Sequence, residues 1–312
     1  MRNLLAYVLG LPPATKLAGF LYMLFSITTV VLHMRVVDDG IDRDAAAQAA
    51  ADPARFFVLR AGTVASYPWT LVTGALTEGN ALFIALGVLA LGSVGAFLER
   101  QWGTRGYAQF LAAMCVVPAL TSVLALVGMY AVTGRADLLY VPRVSGLAGV
   151  VSAFTVGLKQ LVPDYNVKLL RGSLGFRVNE VPGMYTLVVP IMYTLLGNLG
   201  GVLLVNIGFL EGFVYLRFYR RSGLVRGDRS EAFAFATFFP EVARPVVGRV
   251  AGAVYAGAVR CRVVAADEGY QQAVDLEEAV ESDADRRRAL AAKALDQRLE
   301  STASTSQPPT EP

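Results

Sequence analysis

The residue with the strongest claim to chemistry in this sequence is a serine that opens an apolar helix. Ser145 and Gly146 begin a predicted helix over residues 144–161. A serine hydroxyl becomes a nucleophile when a neighbouring base takes its proton. The chain has one histidine, His33, which lies in the first apolar run. A single histidine excludes a cluster of histidines around a metal ion, and His33 is in no obvious position to serve Ser145.

The Ser145–Gly146 pair resembles the nucleophile of the rhomboid intramembrane proteases. That resemblance implies a histidine on the sixth helix as the base. The best-matching position here is Asn206, beside Gly208 and Gly212. A neutral amide does not accept a proton at neutral pH. We therefore predict no catalytic residue, and an active intramembrane serine protease is the weaker alternative.

Small residues in the same two helices favour a structural role. Ser145 and Gly149 are four residues apart in the fourth apolar helix, and Gly208 and Gly212 are four apart in the sixth. Small residues at this spacing let two helix backbones approach closely within a membrane. We expect the two helices to pack together through these residues.

An acidic residue lies inside the sixth helix. Glu211 would cost free energy in hydrocarbon unless it is paired or reaches water. One hypothesis pairs it with Lys159, near the end of the fourth helix, which would lock the same two helices together. The alternative is that the carboxylate extends to the membrane surface.

The remaining candidate residues in the sequence indicate structural roles rather than a catalytic or ligand-binding site. Glu99, Trp102 and Gly103 stand where the second apolar helix ends, and we interpret them as a structural anchor at the membrane surface. The two cysteines, Cys115 and Cys261, suggest neither a disulfide framework nor a metal site. No glycine-rich phosphate loop, zinc-ligand spacing or paired-carboxylate site appears. We predict no cofactor and no metal.

The composition is that of a membrane protein. Of the 312 residues, 54% are hydrophobic and only 17% are charged, against about 25% charged in soluble domains. The fold class that we predict is an all-α multi-pass membrane protein, a six-helix bundle with a cytosolic C-terminal tail. The expected spans are 16–34, 82–98, 107–132, 144–161, 182–197 and 199–219.

The basic residues predict the orientation. Arginines and lysines in the loops after the second, fourth and sixth spans share one face, whereas the loop over 35–67 is acidic. Positive residues accumulate on the cytosolic side of membrane proteins. We therefore expect both termini in the cytosol and the 35–67 loop on the opposite side. Beside a membrane helix these arginines indicate orientation rather than nucleic-acid binding.

Three parts are predicted: a membrane domain over 1–226, a juxtamembrane aromatic and basic segment over 227–264, and a tail over 265–312 with a polar helix near 285–300 and a disordered end. Residues 241–264 are expected to form a basic amphipathic helix on an anionic membrane surface, with a loosely ordered linker as the alternative. The residues expected to face the membrane surface or a partner are Arg217, Arg220, Arg221, Phe235, Phe238, Phe239, Arg244 and Arg249.

Several stretches together resemble the transmembrane protein 115 family, a eukaryotic rhomboid-like group. The most distinctive is GFVYLRFYRRSGLVRGDRSEAFAFATFFPEVARPVVG, and the others are YPWTLVTGALTE, LERQWG, GLKQ and DADRRRALAAKALDQRL. The resemblance covers about residues 15–300. The family pattern does not require a serine where this chain has Ser145.

The resemblance implies a Golgi multi-pass protein with a rhomboid-like core, without protease activity, that acts as a scaffold in Golgi-to-ER retrograde trafficking. It also implies self-association into a homo-oligomer and contact with the conserved oligomeric Golgi tethering complex. The lipid bilayer is the other expected partner, and no nucleic acid is expected. A derlin-like adaptor in ER quality control is the main alternative.

Overall fold

A computed structural model describes residues 10–35, 52–169, 174–222, 225–239 and 244–260. The described part is mostly helical, as the apolar runs predict. Three helical segments in it are long and apolar enough to cross a bilayer, namely Pro13–Leu32, Ala81–Thr133 and Leu199–Tyr219.

Seven helices are labelled in chain order. They are α1 (Pro13–Arg35), α2 (Ala81–Ala90), α3 (Ala96–Thr133), α4 (Ala148–Leu161), α5 (Val181–Leu195), α6 (Leu199–Val214) and α7 (Arg244–Arg260). A π-helical turn over Leu91–Gly95 joins α2 to α3, and another over Tyr215–Tyr219 extends α6. Each of the predicted apolar spans coincides with one or two of these helices.

Gly103 divides the long α2–α3 segment into the two predicted spans. Its backbone has φ 74° and ψ 157°, which is not helical. A residue with a side chain would pay a steric cost at this positive φ, and glycine does not. The helix is therefore broken at Gly103. Beyond the break the chain turns back, since the Tyr107 hydroxyl would lie 2.6 Å from a Cβ on Gly95, and the second and third apolar runs are separate helices.

Helix α4 lies at the centre of the bundle. It is buried along most of its length, and it packs against α6, α3 and α5. By contrast α1 exposes Leu17 and Phe20 while it buries Tyr22. An apolar outer surface of this kind is expected where helices face lipid rather than water.

Two short antiparallel hairpins interrupt the helical pattern. Strands β1 (Asn166–Leu169) and β2 (Leu174–Arg177) pair with each other, as do β3 (Arg221–Ser222) and β4 (Val225–Arg226). The first follows Pro163, which has no backbone N–H to continue a helix. These hairpins are additions to the predicted all-α fold.

The loops at one end of the bundle are tied together by backbone hydrogen bonds. The Val144 N–H donates to the Leu59 carbonyl, and the Gly62 N–H donates to the Leu139 carbonyl. Single helical turns over Pro53–Phe56, Thr70–Thr73, Gly74–Leu76 and Asp137–Tyr140 lie in these loops. We call this the 52–80 end. The opposite end, where α1 begins and α4 finishes, is the collar end.

The described chain divides into two compact units. One comprises Met1–Arg220 with Asp228–Ala253, and the other comprises Arg221–Gly227 with Val254–Pro312. Residues 228–239 thus belong to the same unit as the membrane helices, and the predicted division at 226/227 stays a prediction. The predicted polar helix near 285–300 and the rest of the tail after 260 lie outside the described residues.

Candidate functional site

The fourth and sixth apolar helices meet through their glycines. A Cβ on Gly208 would lie 2.7 Å from the Cα of Gly149, and one on Gly212 would lie 2.7 Å from the Cβ of Ala153. A Cβ on Gly149 would lie 2.8 Å from the Leu204 carbonyl oxygen. Real Cβ atoms do not approach other atoms this closely, so only glycine permits the contact. The predicted positions Gly149, Gly208 and Gly212 thus lie in one interface.

Ser145 lies above this interface, at the 52–80 end, and lines a cleft of about 470 Å³. It is buried, with 9% of its surface exposed. The described residues that line the cleft are Thr29, Val58, Glu78, Gly79, Asn80, Phe83, Val141, Arg143, Ser145, Tyr193, Leu196, Gly197 and Asn198. The loops, the start of α2 and the turn between α5 and α6 all contribute to its wall.

Asn206 does not approach the cleft. Its side-chain amide is exposed and donates a hydrogen bond of 2.8 Å to the Val202 carbonyl, one turn back in its own helix. The neighbouring Val205 is fully buried in a cluster with Ala148 and Tyr193. The part of α6 that packs toward the start of α4 is therefore apolar.

Glu78 is the acidic residue of the cleft, and the predictions from sequence do not include it. Only 8% of its surface is exposed, and its Oε1 accepts hydrogen bonds from the Gly79 N–H at 3.0 Å and the Asn80 N–H at 3.4 Å. Burial raises the pKa of Glu78 to about 7, and these two bonds only partly oppose the shift. The sequence signal was present in YPWTLVTGALTE, but what surrounds its final glutamate depends on distant residues.

The position of the Glu78 carboxylate also explains why residue 146 is a glycine. Gly146 has φ +99°, and a Cβ at that position would collide with Glu78. Its N–H donates to the Gly74 carbonyl at 2.9 Å. The glycine after Ser145 thus allows the acidic loop to approach the start of α4.

At the collar end, Glu99 holds the beginning of α1. Its carboxylate accepts hydrogen bonds from the Ala14 N–H at 3.0 Å, from the Thr15 N–H at 2.7 Å and from the Thr15 hydroxyl at 2.8 Å. The first N–H groups of a helix have no partner within the helix, and an acceptor there stabilises it. This carboxylate is fully buried and acts as a structural cap.

The hypothesised ion pair between Glu211 and Lys159 is not formed. Glu211 Oε1 accepts a 2.6 Å hydrogen bond from the Thr121 hydroxyl on α3. Lys159 is 3% exposed, and its Nζ lies 3.6 Å from the centre of the Phe238 ring with no hydrogen-bond partner among the described residues. The pair was inferred from sequence position alone, whereas the two side chains leave their helices toward different neighbours.

The aromatic residues after α6 pack inside the protein, which corrects their interpretation as a surface for membrane or partner. Phe238 is buried, and its ring centre lies 5.4 Å from that of Phe209 and 5.7 Å from that of Phe213 on α6. Phe235 lies 5.1 Å from Phe213, and Phe239 lies 5.3 Å from Phe235. We call residues 228–239 the aromatic strap.

The strap is held by Arg217, which lies in the turn that extends α6. The Arg217 guanidinium donates to the Phe233 carbonyl at 2.8 Å and to the Ser230 carbonyl at 3.1 Å. The Arg220 guanidinium lies 4.4 Å from the centre of the Trp102 ring. These two arginines therefore make internal contacts, contrary to their prediction as surface residues.

The remaining predicted surface residues are exposed. Arg221, Arg244 and Arg249 have exposed side chains, and the Arg244 Nε also donates to the Phe239 carbonyl at 3.2 Å. In the described residues, no group of three or more His, Cys, Asp or Glu side chains is arranged to hold a metal ion.

Comparison with known proteins identifies relatives that share most of the chain. The sequence model of a family described as eukaryotic integral membrane protein (DUF1751) matches residues 17–301. Transmembrane protein 115 of Mus musculus is 33% identical over 240 residues, covering 74% of this chain and 67% of the relative, and the Homo sapiens protein of that name is 32% identical over the same shares.

Rhomboid-like protein 19 of Arabidopsis thaliana is 29% identical over 238 residues, covering 75% of this chain and 77% of the relative. No solved structure matches the chain. The protein is therefore a member of the transmembrane protein 115 family of eukaryotic integral membrane proteins.

Proposed function

We propose that this protein is a non-catalytic, rhomboid-like Golgi membrane protein that acts as a scaffold in Golgi-to-ER retrograde vesicle trafficking. The observation that carries the proposal is family membership across residues 17–301, with a relative named as rhomboid-like. The family resemblance of the sequence implies the Golgi location and the trafficking role.

The chemistry of the cleft supports a function without proteolysis. Ser145 is in place, but neither histidine nor lysine is found among the described residues around it. Asn206 lies outside the cleft and engages its own helix. Glu78 is the acidic residue described in the cleft, and no hydrogen bond joins it to Ser145. A serine that is not hydrogen-bonded to a base is a poor nucleophile at neutral pH.

Six membrane spans with cytosolic termini form the second part of the proposal. The long α2–α3 segment supplies two of them because Gly103 reverses the chain. The exposed apolar side chains of α5, such as Leu187 and Ile191, suit a helix in contact with lipid. The collar end carries Arg217 and Arg220 and would face the cytosol.

The partner surface that we propose begins at α7. This helix presents Val246 and Val250, spaced four residues apart and each at least 60% exposed, together with Arg244 and Arg249. A valine stripe beside arginines suits the surface of an anionic leaflet. The tail beyond 260 would then contact the conserved oligomeric Golgi complex, and self-association would give a homo-oligomer.

Proximity labelling from the N-terminus tests the scaffold role. The intact protein is compared with a truncation after Arg260, which keeps every described element, and with one after Arg226, which also removes the aromatic strap. We expect the intact protein to label Golgi tethering subunits and both truncations to lose that labelling, because both remove the tail beyond 260. Loss only after truncation at Arg226 would instead place the contact within residues 227–260. Labelling that persists in both truncations would move the partner surface to the membrane domain, and labelling of ER proteins alone would contradict the Golgi role.

A further inference from the structure

The cleft at the 52–80 end contains a buried acidic group without a cationic partner among the described residues. Glu78 is more than nine-tenths buried, and among the described residues its Oε1 accepts hydrogen bonds only from backbone N–H groups of its own loop. A buried carboxylate is costly unless it is neutralised by a proton or by a cation. A cationic ligand bound at Glu78 would therefore offset the free-energy cost of burying its carboxylate.

Two aromatic side chains line the same cleft. Phe83 of α2 and Tyr193 of α5 line the cleft and stack with their ring centres 4.8 Å apart. Tyr22 of α1 and Tyr185 of α5 lie within electrostatic range of Glu78. Aromatic faces attract ammonium groups, and the attraction increases when water is excluded.

A positively charged side chain also lines the cleft. Arg143 lines it, with its side chain 45% exposed and its guanidinium 3.9 Å from Asp52. The N-terminus of α2, capped by Asn80, and the N-terminus of α6, capped by Asn198, also border the cleft. Arginine and helix N-termini both favour phosphate.

The cleft also has an apolar side that continues to the outer surface of the bundle. Leu196 lines it and is 59% exposed. Leu89 on α2 and Ile191 on α5, the helices that begin and end at the cleft, are also exposed, by 66% and 60%. An acyl chain on this surface would place its headgroup at the level of the cleft, where α2 begins and α5 ends.

We propose that this cleft binds the ethanolamine phosphate headgroup of a phospholipid, with the ammonium at Glu78 and the phosphate at Arg143. No covalent step is involved. This inference goes beyond the trafficking role and does not depend on it. The volume of about 470 Å³ is that of a small-ligand site.

The test measures binding of short-chain phospholipids to the full-length protein in detergent by calorimetry. Dihexanoyl phosphatidylethanolamine is compared with dihexanoyl phosphatidylglycerol, which lacks the ammonium group. We expect the ethanolamine lipid to bind about ten-fold more tightly, and Glu78→Gln to remove that preference, since a charge-assisted hydrogen bond of this kind is lost. Glu180→Gln, at an exposed carboxyl at the opposite end of α5, should leave the preference intact.

Free phosphoethanolamine distinguishes a lipid from a soluble ligand with the same chemistry. Weaker binding of the free headgroup indicates a lipid site, whereas equal binding indicates a soluble small molecule and overturns the lipid assignment. Equal affinities for the two phospholipids in the wild-type protein, or an unchanged preference in Glu78→Gln, would overturn the ammonium site.

Two further measurements keep the proposal testable if Glu78→Gln does not fold. Arg143→Gln, at a partly exposed position, should weaken the binding of both lipids several-fold, and unchanged affinities would contradict the phosphate assignment.

Acidification should weaken the binding of the ethanolamine lipid selectively in the wild-type protein, because protonation removes the charge of Glu78. Among the described residues, the ionisable groups near Glu78 are Tyr22, Tyr185 and Tyr193, and Arg143 lines the same cleft. If the preference for the ethanolamine lipid over the glycerol lipid does not change with pH, the proposal is contradicted.

Discussion

Single residues at the α4–α6 contact set how closely these helices approach. The backbones touch at Gly149 and Gly208, where a Cβ on Gly208 would lie 2.7 Å from the Gly149 Cα. Hydrocarbon solvent provides no hydrophobic driving force between helices, so close packing of this kind is a main source of their association. The bundle is therefore sensitive to one added methyl group here.

Gly208→Ala should destabilise the protein by about 1–3 kcal/mol, because the two backbones must separate to accept the methyl group. Thermal unfolding of the detergent-solubilised protein measures the effect. Gly128→Ala in α3 is the matched control, since a Cβ there has nothing within 4 Å. Equal unfolding temperatures for the two variants would show that the interface tolerates expansion.

Glu78 should make stability depend on pH. Its pKa is raised from the ordinary 4.5 to about 7 in the folded protein, so between these values the folded state holds a proton that the unfolded state releases. The free energy of unfolding should then fall as pH rises from 4.5 to 7, by at most about 1.4 kcal/mol per pH unit. Chemical denaturation across this range checks the slope. Glu78→Gln should flatten it, and an equally steep slope in that variant would assign the effect to another group.

At the scale of elements, Arg217 attaches the aromatic strap to α6 through several hydrogen bonds. Arg217 donates to carbonyl groups along residues 228–233, and the strap then covers Phe209 and Phe213. The strap is therefore a part of the membrane domain that is attached through backbone carbonyls.

Arg217→Gln should loosen the strap, because glutamine cannot reproduce several donors in a fixed plane. We expect amide hydrogen exchange over 231–239 to accelerate about ten-fold, which corresponds to a loss of about 1.4 kcal/mol in local stability. Arg221→Gln is the control, since that side chain is exposed. Acceleration of the same size in both variants would mean that overall charge, rather than these hydrogen bonds, holds the strap.

The sequence predicted the helices well and the strap poorly, for a physical reason. A long apolar run such as Leu199–Tyr219 forms a helix wherever it lies in a membrane, so local composition is sufficient. The position of Phe238 depends on Lys159, 79 residues earlier in the chain. The local sequence therefore predicted a membrane-surface segment for these Phe residues. Their packing depends on a contact with Lys159 that only the folded chain creates. The surroundings of Glu78 likewise depend on distant residues, since its carboxylate lies against Gly146.

At the scale of the whole molecule, the two ends of the bundle differ in their charges and loops. The 52–80 end contains the tied loops and the cleft, and the collar end contains Arg217 and Arg220. The proposed topology places the first end in the lumen and the second in the cytosol.

Engineered glycosylation sites test this orientation. Arg135→Asn with Asp137→Thr creates an acceptor at an exposed turn of the 52–80 end, where both native side chains are more than 60% exposed. Asp164→Asn with Asn166→Thr creates one after α4, at the collar end. We expect a gel shift sensitive to glycosidase for the first variant and none for the second, because glycans are added to acceptors in the secretory lumen. The opposite pattern would invert the topology.

The cap on α1 has a consequence for how the chain is made. Thr15 receives its acceptor from Glu99, which is synthesised 84 residues later. Synthesis runs at about 5–20 residues per second, so the leading end of the first helix waits several seconds at least for its partner. During that interval its first N–H groups must be satisfied by water or lipid headgroups. The start of α1 is therefore less stable in the nascent protein than in the finished one. Its cap forms only after Glu99, near the start of α3, has been synthesised.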